Sequence, residues 1–280
     1  MSLLAYLFYF TAATVAPIQR RWLAVRNEGG SKIDLSFKVY FLGALPTLLF
    51  PFFSPFELHG SYLALLLLSI VAGIGLTAYS ICYYTAQGHV EAGTTSVLSN
   101  FYTPLTIVLS TFFLKEKLHG LQILGAAILI LAAVIVSKKH RTGRVSFDKY
   151  FWLMILAGFF LSIFLIANTQ LMRMTGFTAS TILSWWAACV GLGILKLFSP
   201  GKTTYTRKDL VITGSFKFLQ DLSWTILVYV VANLSVVSAV TTFKVVLIFF
   251  SAALFLRERE DLGRKVLGSA IAVAGLFLMR

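Results

Sequence analysis

The chain has 280 residues, 58% of them hydrophobic and only 12% charged, and its mean hydropathy is +0.83. A soluble domain carries about 25% charged residues, and the apolar residues here come in long blocks, so the composition describes a polytopic membrane protein with no room for a separate soluble domain. The net charge of +13 would suggest nucleic acid as a partner in a soluble protein, but the bases sit in short connections that build no continuous basic groove, so no nucleic-acid partner is expected.

The opening stretch MSLLAYLFYF has no basic segment and no small-residue cleavage site, so it reads as a retained first span and not as a removed leader. A crossing helix needs about 20 residues. In chain order the blocks predict spans at 3–22, 33–53, 61–86, 90–114, 119–137, 150–172, 177–198, 209–231, 234–256 and 262–279. Helices are required because backbone groups in lipid must bond within their own segment or close into a barrel. The blocks are continuous and not alternating, which excludes a barrel. The polar stretch KKHRTGRVSFDK at 138–149 leaves five spans on each side, so the units are 1–137 and 150–280. SPGKTTYTRKD at 199–209 is a second polar connection. Cys82 and Cys189 both fall inside apolar blocks and read as small hydrophobes, with no disulfide or metal cluster expected.

The basic residues orient the chain. Connections after the odd-numbered spans carry 16 of the 24 Lys and Arg, Arg20 and Arg21 among them, and the other connections with the C-terminus carry four. By the positive-inside rule the odd-numbered connections are cytoplasmic and both termini lie outside. Lys38, Lys196, Lys217 and Lys244 fall within spans.

An internal repeat links the two halves. Phe113-Leu114-Lys115-Glu116 aligns with Phe255-Leu256-Arg257-Glu258, and after one extra residue Leu124-Gly125 aligns with Leu267-Gly268. Gly125 and Ala132 then match Gly268 and Gly275, seven residues apart on one helical face. Small residues at that spacing let helices approach closely in lipid, and Glu116 and Glu258 read as turn residues ahead of the next helix. Five spans per unit is an odd number, so the second unit enters the membrane with opposite polarity. That is the inverted-repeat plan of many secondary transporters, in which substrate binds near the midplane between the repeats.

Residues 83–136, YYTAQGHVEAGTTSVLSNFYTPLTIVLSTFFLKEKLHGLQILGAAILILAAVIV, hold an aromatic-rich span end and a short polar turn. A proline-containing span with a Leu-x-Glu turn follows, and then a glycine-led span. This resembles the EamA-type module of the drug/metabolite transporter superfamily, with a weaker copy at 229–279. The resemblance implies an all-α integral membrane fold of ten helices in two inverted five-helix repeats around a central cavity, and transport of small polar metabolites. It also implies cytoplasmic termini, opposite to the charge count. The second copy departs from the first in having Val246 where Pro104 stands.

The site candidates are polar residues at depth. Lys244, in AVTTFKVVLIFFSAALFL, lies about ten residues into its span, roughly 15 Å deep. A charge there costs at least about 3 kcal/mol unless paired or hydrated. Asp221 is the one acid placed well inside any span, with Lys217 four residues before it on the same helical face, Gln220 beside it and Trp224 three residues on. These groups either form a structural salt bridge or line a cavity that binds a charged or zwitterionic substrate, with Asp221 available to a coupling proton. In the first unit Tyr102 aligns with Lys244. Asn100 before it and Pro104 after it form a proline-broken segment able to offer hydrogen bonds. Asn168 and Gln170 read as interfacial, Trp185 and Trp186 as packing, and Gln87, His89 and Glu91 as a solvated turn.

The function expected is a secondary transporter or facilitator of a small polar metabolite, amino acid or amine-like, working by alternating access in the cell (inner) membrane. Substrate binding falls to Asn100, Tyr102, Asp221, Lys244, Lys217 and Trp224, and membrane lipids are the remaining partners. No P-loop appears and no cofactor is expected. His59, His89, His119 and His140 are scattered singly, so an integral-membrane lipid-modifying enzyme is disfavoured. A translocase of lipid-linked substrates is the alternative that needs least chemistry.

Overall fold

A computed structural model describes residues 2–26, 29–113, 120–137, 148–231, 241, 243–256 and 262–278, and every element among them is helical. The helices are α1 (Ser2–Arg26), α2 (Lys32–Ala44), α3 (Tyr62–Gln87), α4 (Ala92–Ser99), α5 (Tyr102–Phe113), α6 (Gly120–Ser137), α7 (Lys149–Phe198), α8 (Arg207–Val231), α9 (Lys244–Ser251) and α10 (Leu262–Leu278). Three helical stretches among these residues suit a membrane crossing by length and composition: Lys32–Phe52, Tyr62–Gln87 and Lys149–Phe198. The Leu-x-Glu turns with Glu116 and Glu258, most of the 138–149 linker, and the start of the span expected at 234–256 lie outside the described residues.

Local sequence explains where the elements change. The span expected at 33–53 is α-helical only to Ala44 and continues as 3-10 helix over Leu45–Phe52. Pro46 and Pro51 each remove a backbone donor there, which disfavours the α-helical ladder. The span expected at 90–114 is two helices, α4 and α5, meeting at Asn100 and Phe101. Pro104 has no N–H to give Asn100 four residues back. The Asn100 carbonyl accepts from Thr103 N–H at 2.9 Å in a tighter turn instead. At the equivalent place in the second half, Phe243 precedes the first residue of α9, Lys244. A five-residue π-helix, Ala252–Leu256, follows α9.

The longest helix contains a break. As one straight rod α7's 50 residues would measure about 75 Å, more than twice a bilayer's hydrocarbon core of about 30 Å. Gly176 interrupts it with φ 73° and ψ −170°, a conformation that a residue with a Cβ rarely adopts. The resulting segments, 149–175 and 177–198, are about 40 and 33 Å long. The break falls in the connection expected between 172 and 177. Asp148 starts the helix by accepting from the N–H groups of Tyr150 and Phe151, both at 3.0 Å.

Close packing passes through small residues. A Cβ on Gly75 would lie 2.9 Å from Phe160 O and Phe164 N, and one on Gly73 would lie 2.8 Å from the Ala187 Cβ. Helix α3 therefore meets both segments of α7 almost backbone to backbone. In the same way α10 meets α6, where a Cβ on Gly275 would come within 2.8 Å of Gly125 O. The stripe of small residues read from the repeat is thus a packing surface. Large apolar side chains such as Leu63, Leu66, Ile70, Ile74, Val190 and Ile194 point outward, a display suited to lipid and not to water.

The connections gather at two ends of the bundle. At one end Ser31 N–H donates to Lys202 O at 3.0 Å, Arg21 Nη1 donates to Gln87 O at 2.7 Å, and the His89 ring stacks on Tyr150 with centroids 4.0 Å apart. At the other, Thr178 Oγ1 donates to Ser54 O at 3.2 Å. The connections after the first, third and seventh expected spans thus share one end with the start of α7.

That end is pinned by Asp34, 1% exposed at the start of α2. It accepts from Lys38 Nζ at 2.7 Å, Lys196 Nζ at 2.8 Å and Thr203 N–H at 2.9 Å. Lys38 and Lys196, read from sequence only as charges within spans, are the two cations of this clamp. Gln87, read as part of a solvated turn, is buried and donates through Nε2 to Pro17 O at 3.3 Å.

Candidate binding cavity

The first expected site group stands on α8. Lys217 and Asp221 are one turn apart and form an ion pair, with side chains 6% and 25% exposed. The Lys217 Nζ also lies 4.6 Å from the Tyr40 ring centroid and 5.9 Å from that of Trp185. The pair therefore has one aromatic wall, and its carboxylate is the more accessible member.

Lys244 begins α9 across the cavity. Its Nζ lies 5.6 Å from the Tyr102 ring centroid and 6.0 Å from that of Tyr9. Among the described residues no carboxylate comes within ion-pair distance of it. Tyr102 is held in place through its backbone: Ser162 Oγ donates to Tyr102 O at 2.9 Å, and Gly158 lets the chain pass so closely that a Cβ there would lie 3.1 Å from Tyr102 N. Trp224, half-buried on α8, packs against Tyr9 with centroids 5.6 Å apart.

Tyr102, Lys217, Asp221, Trp224 and Lys244 all line one cavity, with about 120 Å³ of free space. One water needs on the order of 10–15 Å³ of such space, so the cavity holds several waters or a small metabolite. Asn100, expected beside Tyr102, is not in the lining. It is 0% exposed, and neither Oδ1 nor Nδ2 has a hydrogen-bond partner among the described residues. Its backbone N–H caps α4 at the break before α5, and its side chain is enclosed by protein.

The structure adds Arg20. From sequence it is one of two basic residues following the first span. In the fold it is 4% exposed and lines the cavity, while Arg21 reaches the end of α3. The Arg20 Cζ lies 5.3 Å from the Tyr83 ring centroid, and its Nε has no hydrogen-bond partner among the described residues. Asn168, read as interfacial, also lines the cavity, with Oδ1 buried and unpartnered among the described residues. Trp185, read as packing, does both: it is buried in the core and contributes a wall.

Among the described residues the cavity therefore gathers three cations, Arg20, Lys217 and Lys244, and one carboxylate, Asp221. A desolvated cation–π contact is worth about 2 kcal/mol, whereas an ion taken from water loses several kcal/mol of hydration. Ring faces alone offset that loss only partly. Among the described residues no three His, Cys, Asp or Glu side chains converge as a metal site would require.

Residues 1–138 match the model of the EamA-like transporter family. A protein of Streptantibioticus cattleyicolor described as a probable terminal-alkyne amino-acid exporter is 25% identical over 223 residues, covering 76% of this chain and 72% of its own. A solved crystal structure superposes with a TM-score of 0.65 over 98% of this chain and 94% of its own, at 14% identity. That last likeness establishes a shared fold alone.

Proposed function

We propose that this chain, a member of the EamA-like transporter family through its first half, is a secondary carrier that moves a small polar metabolite of amino-acid type by alternating access. The family and the exporter-named relative point to a membrane transporter and away from an enzyme. The observation that carries the finer reading is the cavity itself. Charged residues from α1, α8 and α9 converge on it, so both halves of the chain contribute to one buried polar space.

The inverted repeat has support in the packing. If the ten expected spans form two units of five, exchanging the units converts each span number by five. Spans 1 and 8 pack as α1 against α8, and the exchanged pair, 6 and 3, packs where Gly75 meets Phe160 and Phe164. Spans 2 and 8 meet at Gly214 and Leu42, and the exchanged pair, 7 and 3, meets at Ala187 and Gly73. Spans 1 and 9 meet as α1 against α9, and the exchanged pair, 6 and 4, meets at Gly158 and Tyr102. An inverted repeat requires this closure, and the cavity lies where its two halves face each other. The small space favours a soluble metabolite over a lipid-linked substrate.

The test is uptake of a mixed pool of labelled amino acids and other small metabolites by proteoliposomes, against protein-free vesicles and under both directions of a proton gradient. Saturable uptake competed by one compound establishes the carrier and names its substrate class. Uptake no greater than in the control under either gradient contradicts it.

A further inference from the structure

The carrier reading leaves the substrate's charge open, and the cavity's own charges decide it. We propose that the cavity selects molecules bearing an acidic group, which binds between Arg20 and Lys244, and rejects amines that lack one. This rests on the carrier reading and narrows its substrate class.

Lys217 uses its charge on Asp221, one turn away on the same helix. Asp221 is the one acid among the described lining residues. Among the described residues the contacts of Arg20 and Lys244 are therefore ring faces, Tyr83 beside the guanidinium and Tyr9 and Tyr102 beside the ammonium, and the one carboxylate in their cavity, Asp221, is already paired with Lys217. An entering anion completes both cations at once, while an entering amine without an acid meets a net positive field.

Chemistry narrows the anion further. A guanidinium offers a planar fork of donors that matches a carboxylate or a phosphate through two parallel hydrogen bonds, and an ammonium adds a point charge. Arg20 keeps at least one donor, Nε, without a partner among the described residues. The remaining body of the ligand meets Tyr9 and Trp224, whose rings pack at a tilt of 53° on the same wall. A substrate ammonium, where there is one, finds the partly exposed Asp221 carboxylate, so a zwitterion is accepted and its amino group is not required.

The experiment uses the full chain in proteoliposomes with matched probes: leucine, 4-methylpentanoate, isoamylamine and inorganic phosphate, backed by pools of labelled acids and of labelled amines lacking an acid. Uptake of the acid pool with exclusion of the amine pool is expected. Arg20→Lys is expected to keep the preference, and Arg20→Gln to lower acid uptake at least tenfold. Lys244→Met is the second variant, read in the same way if Arg20→Gln does not fold. Competition by 4-methylpentanoate identifies a carboxylate as the bound group, and competition by inorganic phosphate identifies a phosphate. Equal uptake of both pools, or of amines alone, overturns the inference while leaving the carrier intact. Uptake of neither pool contradicts the carrier reading. Thermal stabilisation of the purified protein then decides the inference separately: stabilisation by acids alone, lost in Arg20→Gln, supports it, and none overturns it.

Discussion

Lys217 and Asp221, four residues apart on α8, are bonded to each other inside the cavity, the lysine nearly buried and the carboxylate partly open. A pair so placed is stabilising only while both members are present. Removing one partner of a buried ion pair costs about 3–5 kcal/mol, whereas replacing both with apolar groups is often neutral. Asp221→Asn is therefore expected to lower the thermal midpoint in detergent more than the double change Asp221→Leu with Lys217→Met. A double-variant loss as large as the Asp221→Asn and Lys217→Met losses added together would mean that the pair is not coupled.

The Asp34 clamp carries a similar expectation at the end of the bundle. Its carboxylate, 1% exposed, joins Lys38, Lys196 and the backbone of Thr203, so it ties α2 to the end of α7 and the segment after it. Asp34→Asn leaves two lysines that are themselves 35% and 36% exposed, so it is expected to destabilise by about 1–3 kcal/mol through the weakened charge-assisted hydrogen bonds. Because the clamp lies outside the cavity lining, the variant's substrate affinity, measured below its melting transition, is expected to be unchanged.

The contact between α3 and α7 predicts a contrast between two glycines. A methyl group on Gly75 would collide with backbone atoms of α7, while nothing lies within 4 Å of the position it would take on Gly88. Gly75→Ala is expected to cost about 1–3 kcal/mol through overpacking. Gly88, which ends α3 with φ −69°, tolerates alanine. Thermal unfolding of both variants checks the pair, and equal stability would contradict the close packing.

The end of the bundle bearing Lys202 and the Asp34 clamp is expected to be cytoplasmic, from the excess of Lys and Arg in its connections. A single cysteine at Thr204, an exposed position in this segment, is then labelled by an impermeant thiol reagent in inverted vesicles and not in intact cells. The opposite pattern would agree with the cytoplasmic termini that the family resemblance implies.

What was legible in the sequence depended on contrast with the surroundings. Lys244 and Asp221 stood out because a charge in the middle of an apolar run is costly, and both line the cavity. Arg20 had no such contrast: beside Arg21 at the end of a span it looks like an interfacial anchor, and only the path of α1 past Tyr83 turns it inward. The cavity tyrosines Tyr9, Tyr79 and Tyr83 gave no signal either, since aromatics make up 15% of the chain. Asn100 gave a signal of the same kind, a polar residue beside a proline break, yet its side chain is buried and is not part of the cavity lining. The fold divided in the same way. The break at Gly176 was readable from the basic residue and glycine between two apolar runs. The 3-10 segment after Ala44 was not, because its prolines interrupt a run whose hydropathy never falls.

The most direct test of the account is uptake of the labelled metabolite pool by proteoliposomes of the wild-type protein and of Lys244→Met, prepared side by side. If the cavity is the transport site, the variant remains monodisperse and folded, while its uptake falls at least tenfold. Unchanged uptake together with raised thermal stability would show that Lys244 is a dispensable buried charge, and would contradict the placement of the substrate in this cavity.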